Sequence, residues 1–205
     1  MQFFYYNLQF VRYVVNCKQG GFMTDTIIKN ALSYALGAGL HEVWRESRKK
    51  DDGTYEPRIK KSKDENWNAS NGTDEVDIAN CSFEQLPSNW QYENLEAAKV
   101  AIELVYDKII SGEQFTLDEI DQMASIIHDE WLKRNDWVFH QNYGNPKLTV
   151  PYAQLPKNEQ DKDKVQLENA QIKVQEYING FVNIEEICEK YNLPTSSKCL
   201  HYKDC

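Results

Sequence analysis

The sequence predicts a mostly α-helical fold: two pseudo-symmetric helix-loop-helix repeats packed as one unit, with minor short β segments in the loops. Three observations carry that expectation. Apolar residues recur at three- and four-residue steps through several long windows, which is helical spacing. A His-x-x-Trp motif and a Gln-Leu-Pro motif each occur twice, in the same order. Apolar residues make up 41% and aromatics 12% of the 205 residues, enough for a bulky core.

Residues 1–22 are an aromatic extension ahead of Met23. They lack the basic start and the clean apolar stretch of a signal peptide. Two readings stay open for them: a disordered extension, or a strand or arm packed on the domain. The first repeat spans 23–112. Its first helix starts at Thr24 or Asp25, either of which can cap it, and carries an apolar series from Ile28 to Trp44. Gly37 and Gly39 weaken its middle by about 1 kcal/mol each, or let another helix approach closely. Residues 51–80 are polar and turn-rich. They read as a long loop with a short β segment at Tyr55–Ile59 or Val76–Ala79. Helix returns after Pro87, where Ser88 and Gln91 form a capping-box pattern, and Gly112 ends it.

The second repeat spans 113–182. Thr116 and Glu119 form another capping box, followed by the apolar series Leu117, Ile120, Met123, Ala124, Ile127 and Trp131. A loop covers 135–156, and a further helix runs from about Asn158 to Ile178, closed by Asn179-Gly180. Residues 183–205 form a short helix around Ile184–Tyr191 and a loose tail.

His41-Glu-Val-Trp44 and His128-Asp-Glu-Trp131 stand 87 residues apart, whereas Phe83-Glu-Gln-Leu-Pro87 and Tyr152-Ala-Gln-Leu-Pro156 stand 69 apart. The first repeat therefore carries 18 extra loop residues. Histidine and tryptophan three residues apart share a helix face. The residue before each proline avoids the helical region and sets an extended turn. Neither unit is large enough to bury its own face, so the two are expected to pack together.

This ordered set of motifs resembles the RyR (ryanodine-receptor repeat) domain family, over about residues 28–180. The second repeat matches at His128, Trp131, the Asp136-Trp137-Val138-Phe139 segment (with Asp136 where the family has glycine), Pro146, Tyr152 and Leu155. The first matches at His41, Trp44, Tyr55, Phe83, Leu86 and Pro87, and departs in its inserted loop. The resemblance implies a helical module that mediates interactions. In short bacterial or phage proteins it implies a sensor for a small nucleotide-like metabolite. It implies no catalytic residues.

The net charge of −9 argues against nucleic-acid binding, which draws on clustered Lys and Arg, and against an anionic membrane surface. No run of about 18 apolar residues occurs. Five cysteines, an odd number without a CxxC, point to a reducing, cytoplasmic setting rather than a disulfide framework. No catalytic motif and no cofactor-binding loop occurs. Cys188, Cys199, His201 and Cys205 have donor atoms suited to zinc but not a usual finger spacing, and no metal site is assigned. His41 and His128 have no neighbouring nucleophile in a recognisable arrangement. They read as half-buried histidines that fix the loops by hydrogen bonds. Trp44, Trp131 and Trp137 read as core anchors, with Trp137 the most exposed. A basic run at Arg45, Arg48, Lys49, Lys50, Arg58, Lys60, Lys61 and Lys63, echoed by Lys133 and Arg134, is either a solvated helix end or a phosphate-binding surface.

The sequence-based expectation is a non-enzymatic module that binds a small anionic, nucleotide-like ligand. Its candidate contacts are Arg45, Arg48, Arg58, Lys60, His41, His128, Arg134, Trp137, Tyr143 and Tyr152. The alternative is a bacterial or phage interaction protein that works through a host protein or by forming a homo-oligomer. A hydrolase using His41 or His128 is the weakest reading.

Overall fold

The computed structural model describes residues 23–142 and 144–195. The expectations for residues 1–22, for Tyr143, and for Cys199, His201 and Cys205 fall outside the described residues. In chain order the helices are α1 (Asp25–Glu46), α2 (Glu65–Asn71), α3 (Ser88–Ile110), α4 (Leu117–Arg134), α5 (Lys157–Ile178) and α6 (Ile184–Lys190). Two three-residue strands, β1 (Ile59–Lys61) and β2 (Glu75–Asp77), pair antiparallel with Lys60 opposite Val76. The fold is thus mostly helical, as expected.

The long helices begin and end where local chemistry satisfies their free backbone groups. Thr24 caps α1 by accepting from the Ile27 N–H at 3.4 Å. The Thr116–Glu119 box closes the start of α4 reciprocally: the Thr116 N–H reaches Glu119 Oε2 at 2.8 Å, and the Glu119 N–H reaches Thr116 Oγ1 at 3.2 Å. Gly112 and Gly180, with φ of 78° and 76°, turn the chain after α3 and α5. There the Glu113 N–H reaches back to the Lys108 carbonyl, and the Phe181 N–H to that of Glu176, which is the Schellman ending.

The expected Ser88–Gln91 box does not form. Ser88 is the first helical residue, its N–H donates to Asp64 Oδ2 at 2.9 Å, and the Gln91 amide is used elsewhere. The inserted loop also holds a helix the sequence reading missed. Asp64 caps α2 through the Trp67 N–H at 2.9 Å, and Gly72 ends it in the left-handed conformation. Asn-rich α2 has little propensity of its own. It is tied down by Trp67 Nε1, which donates to the Gln85 carbonyl at 3.1 Å.

One core joins the four long helices and α6. Ile27, Ile28, Leu32 and Leu36 of α1 meet Ala98, Ile102 and Val105 of α3, Met123 and Ile127 of α4, Leu167 and Val174 of α5, and Ile184 and Cys188 of α6. Helices α3 and α5 pack on each other at the centre; α1 covers α3 and α4 covers α5. Close approach of α1 to α3 depends on Gly37, where an added Cβ would sit 3.0 Å from the Asn94 carbonyl oxygen. A second, smaller cluster of Ala38, Phe83 and Leu86 holds the first repeat's loop, with Trp90 and Tyr191 packed on it.

Candidate functional site

The two copies of the His-x-x-Trp and Gln-Leu-Pro motifs use the same loop-fixing device. His41 Nε2 lies 3.0 Å from the Cys81 carbonyl oxygen, and His128 Nε2 lies 3.1 Å from that of Val150. A carbonyl can only accept, so each Nε2 carries the proton and donates. Cys81 and Val150 stand two residues before Phe83 and Tyr152, so the two bonds occupy the same place in each motif. The glutamine beyond each proline completes the device. Gln91 Nε2 donates to the Phe83 and Leu86 carbonyls at 3.2 and 3.0 Å, and Gln160 Nε2 donates to those of Tyr152 and Leu155 at 3.2 and 3.1 Å. Both histidines thus hold loops. Burial pushes the His41 imidazole below its usual range, with the bond to Cys81 opposing that.

Beside the second device lies a cavity of about 250 Å³, lined by His128, Trp131, Trp137, Leu148, Leu155, Glu159, Lys162, Asp163 and Gln166. Three segments build it. Helix α4 presents His128 and Trp131 one turn apart on the same face, their rings nearly parallel with centroids 6.2 Å apart. The loop after α4 forms a 3-10 turn at Asp136–Phe139 with Val138 buried beneath it. That turn sets the Trp137 ring edge-to-face on Trp131 at 6.3 Å, and Trp137 Nε1 donates to Asn135 Oδ1 at 3.0 Å. The rest of this loop is locked by Gly144. Its N–H reaches the His140 carbonyl at 2.7 Å, and a Cβ there would lie 2.3 Å from the Val138 oxygen. Helix α5 supplies Glu159, Lys162, Asp163 and Gln166.

Asp163 is only 9% exposed. His128 Nδ1 lies 3.9 Å from its Oδ2, beyond hydrogen-bond range. Burial pushes its carboxyl up to about 7; Glu159 adds to the shift and Lys162 opposes it. Lys162 is itself held 2.8 Å from Glu159. The Gln166 amide oxygen is buried without a hydrogen-bond partner.

Of the nine described residues expected to touch a ligand, only His128 and Trp137 line this cavity. Trp137 is 42% exposed and is the most open of the three motif tryptophans. Tyr152 points into the core, where its hydroxyl faces Asp121 Oδ1 at 3.4 Å and burial raises its phenol to about 12. The basic residues are engaged locally instead. Arg45 pairs with Glu42 at 2.6 Å and donates to the Ala79 carbonyl, and Arg48 pairs with Glu56 at 3.1 Å over the Trp44 ring. Arg58 joins the β hairpin through its backbone, Lys60 lies over Trp90, and Arg134 lies 3.6 Å from Glu93 of α3. The basic run is therefore largely a set of local ion and ring pairs, not a gathered anion site. His41 belongs to the other repeat's loop.

Sequence reasoning missed Glu159, Lys162, Asp163 and Gln166, because the charged start of α5 reads as solvated surface. A signal was present. Asp163 falls on the same helical stripe as the buried Leu167, Ala170, Val174 and Tyr177, which is an apolar line interrupted by a carboxylate. Among the described residues no group of three or more His, Cys, Asp or Glu is placed to hold a metal ion, and no helix is long and apolar enough to cross a membrane. Cys81 and Cys188 are free thiols. No family model, curated protein or solved structure matches the chain.

Proposed function

We propose that the chain is a non-enzymatic, cytoplasmic binding module of the RyR type, and that the cavity of its second repeat is the ligand site. The observation that carries this reading is Asp163. Its side chain is 12% exposed and accepts no hydrogen bond from a described residue, which costs stability when the carboxyl is ionised. Such costs concentrate at functional sites. A hydrogen-bond donor from a ligand removes that cost, and Trp131 and Trp137 offer it flat apolar contact. The non-enzymatic part of the reading draws on the described lining residues. Among the described lining residues there is no hydroxyl or thiol nucleophile, Lys162 is paired with Glu159, and the Nε2 proton of His128 is committed to Val150. The equivalent loop-fixing bonds in both motifs support the tandem-repeat reading, and the match to the RyR pattern is part of the proposal.

The test is native mass spectrometry of the protein as purified, and again after gentle denaturation. A released adduct of a few hundred daltons or less supports a small-molecule site. A clean mass, with no response of the indole N–H signals to any small molecule, counts against it. A second reading, a module that docks a protein or a second copy of itself, draws on apolar side chains outside the core: Leu117 is 85% and Phe181 81% exposed. A defined oligomer without adduct favours that reading.

A further inference from the structure

We infer that the second-repeat cavity takes a small organic cation that donates hydrogen bonds, a protonated amine or guanidinium on a flat apolar body. The inference rests on the binding reading above and adds the sign of the ligand, which is opposite to the anionic ligand expected from the sequence.

Two polar groups of the cavity lack a hydrogen-bond donor. Asp163 accepts no hydrogen bond from another described residue, and His128 Nδ1 stands 3.9 Å from its Oδ2, beyond hydrogen-bond range. His128 donates its Nε2 proton to the Val150 carbonyl at 3.1 Å. One helical turn beyond Asp163, the Gln166 amide oxygen is buried without a donor. These two acceptors, the Asp163 carboxylate and the Gln166 amide oxygen, line the cavity without a donor from a described residue.

The charge points the same way. Glu159 and Asp163 stand against the single cation Lys162, which is tied to Glu159 at 2.8 Å. An anion entering here would meet an uncompensated carboxylate, whereas a cation would meet a counter-ion in a partly desolvated site. Trp131 and Trp137, edge-to-face at 6.3 Å, add ring surface that attracts cations. The volume of about 250 Å³ lies below the roughly 300–1,000 Å³ of drug-sized sites, which limits the ligand to about one ring and a short chain.

The first repeat provides an internal contrast. At the same spacing from its Leu-Pro motif it has Asn94 in place of Asp163 and Trp90 in place of Glu159. Asn94 Nδ2 donates to the Trp90 carbonyl at 2.8 Å, and the Trp90 side chain packs on Phe83 and Leu86. The unpartnered carboxylate is a property of the second repeat.

The experiment titrates the full chain at pH 8 with three probes of nearly one shape: benzylamine, benzyl alcohol and benzoate. Calorimetry and the tryptophan indole N–H signals are the readouts. Benzylamine is expected to bind at least tenfold more tightly than either of the others and to move the Trp131 and Trp137 signals. Asp163→Asn is expected to remove that preference, and Trp137→Ala, at a half-open position, to weaken all three probes. The groups facing Asp163 are His128 from α4 and Glu159 and Lys162 from its own helix. If the Asp163 carboxylate is the counter-ion, amine affinity falls about tenfold per pH unit below about 7. That slope is retained in His128→Gln and lost in Asp163→Asn. Benzoate or benzyl alcohol binding as tightly as benzylamine overturns the cation inference and leaves the binding site standing. No indole response to any probe, together with an adduct-free native mass, overturns both.

Discussion

Replacing Asp163 with asparagine should make the protein more stable above neutral pH, an unusual outcome for removing a charge from a helix. The carboxyl sits at about 7 in the fold against 3.8 when unperturbed, so between those values the folded state binds the extra proton. Stability from this group is fully present below 3.8 and is lost as pH rises through about 7. Raising a carboxyl from 3.8 to about 7 corresponds to about 4 kcal/mol, at about 1.36 kcal/mol for each tenfold change in proton affinity. Solvent at the cavity mouth brings this to about 2–3 kcal/mol. Asparagine keeps the shape and has no proton to lose. Urea denaturation of both proteins at pH 5 and pH 8 isolates the effect, because the variant's advantage should grow by about 2 kcal/mol between the two. In thermal melts at pH 8 that corresponds to about 4–8 °C for a chain of this size. A variant advantage that stays the same at both pH values, or shrinks toward pH 8, would refute the claim that burial holds this carboxyl protonated.

Four further outcomes follow from local geometry and burial. Gly39→Ala should stabilise by up to about 1 kcal/mol, since nothing lies within 4 Å of the added Cβ on an exposed helix position. Gly37→Ala, two residues earlier, should destabilise in the same melt, because its Cβ meets the Asn94 backbone at 3.0 Å and α3 would have to move. Gly144→Ala puts a Cβ 2.3 Å from the Val138 carbonyl and 2.4 Å from that of His140. It should cost about 1–3 kcal/mol and shift the Trp137 indole N–H signal while leaving the helical circular dichroism signal intact. For His41 the linkage sign is the reverse of that for Asp163. Its folded imidazole lies below 6.5, so its contribution is present above 6.5 and lost as pH falls through the lowered value. His41→Gln should flatten the acid limb of the stability profile, and an unchanged limb would assign it to other groups.

Much of this architecture is legible along the chain because it is written in local chemistry. Helical spacing marks α1, α3, α4 and α5; Thr116–Glu119 marks a start, and Gly112 and Gly180 mark ends. Each is read within a few residues and survives folding unchanged. The two His-x-x-Trp and Gln-Leu-Pro pairs are legible for the same reason, and their shared hydrogen bonds give that repetition a physical purpose. Local signals also misled. Ser88 and Gln91 have the residue types of a capping box, yet Asp64 takes the Ser88 N–H and the loop carbonyls take the Gln91 amide. Those partners come from outside the helix.

The site was the least legible part because it depends on which charges are brought together and which are satisfied elsewhere. Arg45 and Arg48 look like free cations along the chain, but folding supplies them with Glu42 and Glu56. Asp163, inside an alternating acid–base run, looks like ordinary surface until α5 is rotated against α4, which buries it beside His128 and Trp131. Amino-acid order settled the helices, their caps and the tandem motifs, since these depend on neighbours one to four positions away. Long-range packing settled which polar groups keep their water and partners and which lose them, since burial is a property of helix–helix contact and not of any one helix.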